Sequence, residues 1–161
     1  MSTQLDAAIA VPRIEGPPPH ILIVRAPYYT QVVDGLRDGA TALLDAAGAS
    51  YDVLDVAGAL ELAAIIRLAL TGDRRFDGYV ALGCVVKGET DHYEHVCREA
   101  MSGLTLVAIT HALCLGNGLL TVATEAQALA RSGADGHNKG AEAASACLVQ
   151  IGAARFLGAS A

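Results

Sequence analysis

From His20 onward the apolar positions switch between two periods. Ile21-Leu22-Ile23-Val24 is a continuous apolar run, as in a strand covered on both faces. Val32, Val33, Leu36, Ala40, Leu43 and Leu44 then recur at spacings of one, three and four, which predicts an amphipathic helix over 32–47 that stops at Gly48. Positions 51–56 read as a second strand, 59–70 as a helix closed by Gly72 and Asp73, and 78–86 (GYVALGCVV) as a third buried strand. A helix is expected over 90–101, with Thr90 as its N-cap and Asp91 as a favourable charge in its first turn. Positions 104–109 are ambiguous: their propensity favours a strand, yet the preceding helix can also run through them. A fourth strand is expected at 115–122, then helices at 123–132 and 141–151 joined by the glycine-rich loop 133–140.

Upstream of His20 this pattern is missing. Pro12, Gly16 and the run Pro17-Pro18-Pro19 oppose regular structure, and three consecutive prolines favour an extended arm. The expected organisation is a flexible N-terminal arm over 1–19 and one domain over 20–161. Strand–helix alternation points to an α/β fold with a mainly parallel sheet, which binds ligands at the carboxyl ends of its strands. Nothing in 1–19 resembles a signal peptide, because no basic stretch leads into an apolar one.

Composition changes this picture in three ways. Charged residues make up only 17% of the 161, against roughly 25% in ordinary domains, which suggests surface hidden in partner subunits. The net charge is −6, with 11 Lys and Arg and no basic run, so nucleic acid is excluded as a partner. The four cysteines form no C-x-x-C pair and fall in apolar stretches, as buried free thiols of a reducing, cytoplasmic protein do. The longest apolar run, 104–115, is interrupted by Thr105, Thr110 and His111 and falls short of the ~20 residues of a membrane span.

Three strand ends carry residues that a core does not need. Ala26-Pro27-Tyr28-Tyr29 follows the first, in a chain with five tyrosines, two phenylalanines and no tryptophan. A tyrosine ring there is suited to stack on a flat ligand, and equally to lie over the core edge. Val56-Ala57-Gly58-Ala59-Leu60-Glu61 follows the second. Its small residues let backbone approach a ligand, and Glu61 is either a ligand carboxylate or a helpful end charge on a helix. Lys87-Gly88-Glu89-Thr90-Asp91-His92 follows the third and opens a helix. Free N–H groups at such a terminus bind anions, Gly88 permits close approach, and His92 in the first turn is a candidate proton carrier. His95 can share a helix face with His92, but a metal needs further ligands that the pattern does not supply, so none is expected. Arg131 and Lys139 flank the last loop, as receivers of phosphate or carboxylate or as solvated charges. On residues alone the chain is an α/β domain for a small, flat, anionic ligand, and no reaction follows.

The ordered motifs carry a resemblance further. Gly83-Cys84-Val85-Val86-Lys87-Gly88-Glu89-Thr90-Asp91-His92-Tyr93-Glu94-His95-Val96 resembles the lumazine synthase pattern G-x-V-I-[RK]-G-x-T-x-H-[FY]-[DE]-x-V. Val56 to Leu62 is similar to V-P-G-A-[FL]-E-[IL], and Gly118-Leu119-Leu120-Thr121 and Asn138-Lys139-Gly140 to G-[IVL]-[LV]-T and N-K-G. The resemblance runs from His20 to Phe156. It implies a three-layer, flavodoxin-like α/β sandwich with a mainly parallel four-stranded sheet flanked by helices. It also implies a transferase that condenses 5-amino-6-(D-ribitylamino)uracil with 3,4-dihydroxy-2-butanone 4-phosphate, the penultimate step of riboflavin biosynthesis, with no metal or organic cofactor. By this resemblance His92 is the catalytic histidine. Gly88, Glu89, Thr90 and Arg131 hold the phosphate, and Tyr28 stacks on the pyrimidinedione. Ala59, Leu60 and Glu61 hold the ribityl chain, and Val85, Val86, Asn117 and Lys139 complete the substrate contacts, the lysine reaching in from a neighbouring subunit. The partners implied are the small-molecule substrates and further copies of the chain, in a homo-oligomer built from pentamers with active sites between adjacent subunits. Neither nucleic acid nor membrane is implied.

Departures from the pattern mark where the site can differ. Ala57 and Ala63 replace two common prolines, Asn117 stands where an aromatic or aliphatic residue is frequent, and Asp135 where a lysine is. The Pro17–Pro19 run cannot donate to a sheet ladder, which favours free pentamers over the shells some members build. Two other readings compete: a non-catalytic flavin- or lumazine-binding protein on the same scaffold, and an unrelated flavodoxin-like binding module.

Overall fold

Alternation along the strands decides the architecture. Ile21 and Ile23 of β1 (His20–Ala26) join one apolar cluster, and Leu22 and Val24 join another. A strand that is apolar on both faces must be covered on both faces. The computed structural model describes residues 9–134 and 137–159. In chain order, β1 is followed by α1 (Thr30–Ala46), β2 (Ser50–Asp55), α2 (Glu61–Ala69), β3 (Gly78–Val86), α3 (His92–Thr110), β4 (Leu115–Val122), α4 (Glu125–Leu129) and α5 (Lys139–Phe156). The four strands form one all-parallel sheet in the order β2-β1-β3-β4. Leu36 and Leu44 of α1 and Leu148 and Ile151 of α5 cover Ile21, Ile23, Val80 and Leu82 on one face. Leu62 and Ile66 of α2 and Leu104 and Val107 of α3 cover Leu22, Val24 and Ala81 on the other. The result is the expected three-layer α/β sandwich.

The connections place a crevice. The chain leaves β1 into α1 on one face and leaves β3 into α3 on the opposite face. The loops at the carboxyl ends of these adjacent strands diverge, and in open α/β sheets ligands bind at that switch point.

Several local expectations need correction. Positions 104–109 are helix, the second half of α3. Ala100, Leu104 and Val107 are its buried residues, at helical spacing, so packing against the sheet and α2 outweighs the strand propensity of the segment. Thr90 does not cap α3: Asp91 is the N-cap residue, in helical conformation, and no side chain accepts a first-turn N–H there. α2 begins at Glu61 rather than position 59. α4 is a short helix in which Thr124 accepts from the Gln127 N–H at 3.3 Å and the Gln127 side chain accepts from the Ala123 N–H at 2.9 Å. α5 starts two residues before the expected 141 and extends past 151.

Its start is fixed by Asn138, 6% exposed. The side-chain oxygen accepts from the Gly140 and Ala141 N–H groups at 2.8 and 3.1 Å, and Nδ2 donates to the carbonyls of Gly35, Ser132 and Gly133 at 2.8–3.1 Å. One buried amide thereby caps α5, closes the preceding loop and ties both to α1. A Cβ on Gly140 would overlap the Leu36 carbonyl oxygen, so α1 and α5 touch backbone to backbone at this point.

Of the expected N-terminal arm, residues 9–19 are described and carry no regular element. Ile9 and Ile14 lie against the α1–α5 core, and Arg155 Nη1 donates to the Glu15 carbonyl at 2.6 Å. Residues 1–8 and the departure at Asp135 lie outside the described residues. Cys84, Cys114 and Cys147 are buried free thiols, as expected, whereas Cys97 is only half-buried. Among the described residues no helix is long and apolar enough to cross a membrane.

Candidate active site

The crevice is built from three loops on a clamped base. Arg25, near the end of β1, is mostly buried and donates to Asp55 at 2.5 and 3.0 Å and to Asp34 of α1 at 2.6 Å. Hydrogen bonding to Asp55 raises the Arg25 pKa against the opposing effect of burial, with Asp34 adding to the rise. The Val56 N–H also donates to the Arg25 carbonyl at 2.9 Å. The ends of β1 and β2 are thus fixed to one another before the loops depart.

In the first loop the Tyr29 carbonyl accepts from the Val33 N–H at 3.0 Å, which anchors Tyr29 at the start of α1. Tyr29 is half-buried, and burial pushes its phenol pKa up. Tyr28 is 78% exposed, edge-on to Tyr29 with ring centroids 5.3 Å apart. The second loop closes with the Glu61 N–H donating to the Gly58 carbonyl at 3.2 Å. The Glu61 carboxylate folds back over Gly58, where a Cβ would lie 3.1 Å from Oε2. The third wall is the end of β3 and the start of α3.

These walls enclose a cleft of about 340 Å³. It brings together nine predicted residues: Tyr28, Ala59, Leu60, Glu61, Val85, Val86, Gly88, Thr90 and His92. Glu89 is exposed beside Gly88 but does not line the cleft. His92 is the first residue of α3, so the helix N-terminus, with its free N–H groups, abuts the cavity. His95 lies outside the cleft and pairs with Arg98 instead, Nδ1 to Nη2 2.8 Å. Among the described residues no cluster of three His, Cys, Asp or Glu is placed to hold a metal.

Three lining residues escaped the residue-by-residue reading: Cys84, Tyr93 and Val96. Tyr93 adjoins His92, so sequence adjacency was the available signal, and Tyr29 and Gly58 belong to loops already singled out. Cys84 adjoins the candidate Val85 but, like Val96, looks like a core position in sequence. Burial pushes the Cys84 thiol up to about 11, with Glu125 and Cys97 adding to the effect, so at neutral pH it lines the site as a protonated, poorly nucleophilic group.

The remaining predicted residues are elsewhere. Asn117, Arg131 and Lys139 line a second cavity of about 400 Å³, between the edge strand β4 and the start of α5, and no residue lines both cavities. Asn117 is partly committed within the chain: its side-chain oxygen accepts from the Leu119 N–H at 3.0 Å. Arg131 donates to the Gln127 carbonyl at 2.8 Å, and Lys139 pairs with Glu142 at 2.6 Å. One chain therefore presents two separate cavities. One has the flat wall, the helix terminus and the histidine, and the other has two cations.

The chain is similar to known proteins over most of its length. The family model described as 6,7-dimethyl-8-ribityllumazine synthase matches residues 18–155. The 6,7-dimethyl-8-ribityllumazine synthase of Paramagnetospirillum magneticum is 46% identical over 146 residues, 87% of this chain and 97% of that protein. The 6,7-dimethyl-8-ribityllumazine synthase 1 of Rhizobium meliloti is 46% identical over 146 residues, covering 88% and 95%. The Azorhizobium caulinodans protein of the same name as the first is 45% identical over 152 residues, covering 92% and 93%. With the fold, the ordered motifs and the cleft in agreement, the chain belongs to the 6,7-dimethyl-8-ribityllumazine synthase family.

Proposed function

We propose that the chain condenses 5-amino-6-(D-ribitylamino)uracil with 3,4-dihydroxy-2-butanone 4-phosphate to give 6,7-dimethyl-8-ribityllumazine, phosphate and two molecules of water. The observation that carries this reading is the cleft itself, where an aromatic loop, a small-residue turn bearing a carboxylate and a helix N-terminus with His92 meet at one switch point. The pyrimidinedione stacks on Tyr28 and lies along the backbone of Val85 and Val86. The ribityl hydroxyls meet Ala59, Leu60 and the Glu61 carboxylate. The phosphate sits at Gly88, Glu89 and Thr90, where helix N–H groups favour an anion. His92 moves protons during imine formation and phosphate elimination, and tautomerisation and ring closure follow.

Arg131, Asn117 and Lys139 reach this ligand only if a second copy supplies them. The reading thus includes a homo-oligomer, built from pentamers, in which the second cavity of one subunit completes the cleft of its neighbour. Exposed Tyr28 and Leu60, and Leu106 and Ile109 on the outer side of α3, support burial of this surface between copies. The free buried thiols support a reducing, cytoplasmic setting.

The test mixes purified protein with both substrates and follows lumazine absorbance. Much of the acceleration comes from orienting two substrates that condense readily, so His92→Ala is expected to lower kcat by roughly tenfold to a hundredfold without abolishing turnover. Arg131→Ala should chiefly raise KM for the phosphate substrate. Wild-type protein that binds a ribityl-flavin tightly yet forms no product would overturn the catalytic reading.

A further inference from the structure

A separate cavity of about 190 Å³ opens at the amino end of β3, between the end of α2 and the α3–β4 loop. It shares no lining residue with the cleft or with the cation-lined cavity. Tyr79, the second residue of β3, forms its floor, whereas Val85 and Val86 at the other end of the same strand line the cleft. Tyr79 is 4% exposed, and its hydroxyl has no hydrogen-bond partner among the described residues. No fully buried side-chain oxygen or nitrogen among them lacks a partner, so this hydroxyl opens into the cavity instead of being sealed in the core.

Arg75 stands exposed at the mouth. Its Nη1 donates to the Gly72 carbonyl at 2.7 Å, it has no carboxylate partner among the described residues, and its other N–H groups are free. Burial pushes the Tyr79 phenol pKa up and the Arg75 charge opposes that rise, so the guanidinium lies on the hydroxyl side of the cavity. Arg74 is committed elsewhere: it donates to Asp52 at 2.5 Å and lies over the Phe76 ring, 5.7 Å from the centroid. Asp77 also lines the cavity, but its Oδ2 accepts from the His20 N–H at 2.7 Å, which ties the carboxylate to β1.

An apolar cavity of about 150 Å³ is enough to hold a benzene ring. This one therefore has room for a body of that size and a small polar head. The head must be an acceptor, because a guanidinium only donates and the phenol can donate beside it. A carboxylate matches the planar fork of an arginine.

We propose that this cavity binds a small monocarboxylate with a body about the size of a benzene ring. The carboxylate lies between Arg75 and the Tyr79 hydroxyl, and the body packs against Leu70, Phe76 and Leu113. The site is independent of the condensation read into the cleft.

The probe is benzoate, titrated by calorimetry into the intact oligomer. Saturable binding is expected at about 1 mM or tighter. Tyr79→Phe removes only an oxygen without an internal partner, so it should leave the thermal midpoint unchanged and weaken benzoate about tenfold to a hundredfold. Arg75→Ala should weaken it at least as much, and Arg75→Lys should recover only part of the loss, because the fork is gone. Benzamide, of the same shape but uncharged, should bind at least tenfold more weakly than benzoate, by about the worth of a charge-assisted hydrogen bond. Asp77→Asn, which keeps an acceptor for His20, should tighten benzoate. Arg131→Ala should leave its affinity unchanged. No saturable binding at millimolar benzoate would overturn the proposal, as would full affinity in Tyr79→Phe or Arg75→Ala. Loss of binding in Arg131→Ala would place benzoate in the cation-lined cavity and overturn it as well, whereas a failure to form lumazine bears only on the cleft.

Discussion

At the scale of single residues, chemistry and packing constrain the same positions in different ways. Cys84 lies near the end of β3 and lines the cleft, yet nothing in its residue type distinguishes it from Cys114 or Cys147 in the core. Its environment does. With the thiol pushed up to about 11 by burial first and Glu125 next, the thiolate is the disfavoured form. At pH 8 it should carry roughly a hundredfold less thiolate than an ordinary thiol. Alkylation of Cys84, mapped by peptide mass spectrometry, is therefore expected to be slow at pH 8 and to climb until about pH 11. Labelling at the rate of a free thiol peptide at pH 8 would show that the group is not held neutral. A protonated thiol in the wall is compatible with electrophilic carbonyl intermediates, which a thiolate would attack. Asn138 shows the opposite case. It was legible as a member of N-K-G, but its five hydrogen bonds to α1, α5 and the loop between α4 and α5 depend on tertiary contacts that no local pattern encodes.

At the scale of elements, what could be read in the sequence was what periodicity controls. β1 and β3 are continuous apolar runs because both faces are covered, and α1 shows a clean apolar stripe because only one face is. The second half of α3 was not legible by propensity. Thr105, Val107, Ile109 and Thr110 are β-branched, and only the 100, 104, 107 spacing reveals the helix. Periodicity alone starts α5 too late because the Asn138 cap and the backbone approach at Gly140 are three-dimensional facts. That approach yields a stability prediction. Gly140→Ala forces a methyl group into the Leu36 carbonyl, and neither backbone can move without shifting a helix. The expected loss is about 1–3 kcal/mol, the cost usual for overpacking. Urea denaturation followed by far-UV circular dichroism measures it as a lower midpoint with unchanged slope. An unchanged midpoint would mean that α1 and α5 do not meet in backbone contact at Gly140.

At the scale of the whole molecule, the candidate site was legible as a set of strand ends but not as two cavities. The order β2-β1-β3-β4 puts the loops after β1, β2 and β3 around one crevice and leaves β4, an edge strand, to form a separate surface with α5. Linear spacing cannot distinguish a residue that faces its own cleft from one that faces a neighbour's. The proposed assembly makes that distinction measurable. If each site takes His92 from one subunit and Arg131 from the next, a His92→Ala subunit still offers an intact cation half and an Arg131→Ala subunit an intact histidine half. Unfolding the two variants together and refolding them at equal ratio should place both intact halves at roughly one site in four, as random mixing in a cyclic oligomer requires. With the phosphate substrate well below KM, activity should then rise towards a quarter of wild type, well above the mean of the two variants refolded alone. A mixture that shows only that mean, while mass spectrometry of the intact assemblies proves that subunits have mixed, would place His92 and Arg131 in the same chain's site. In that case the second cavity would have to open towards the first by a movement within one subunit, since the two share no lining residue.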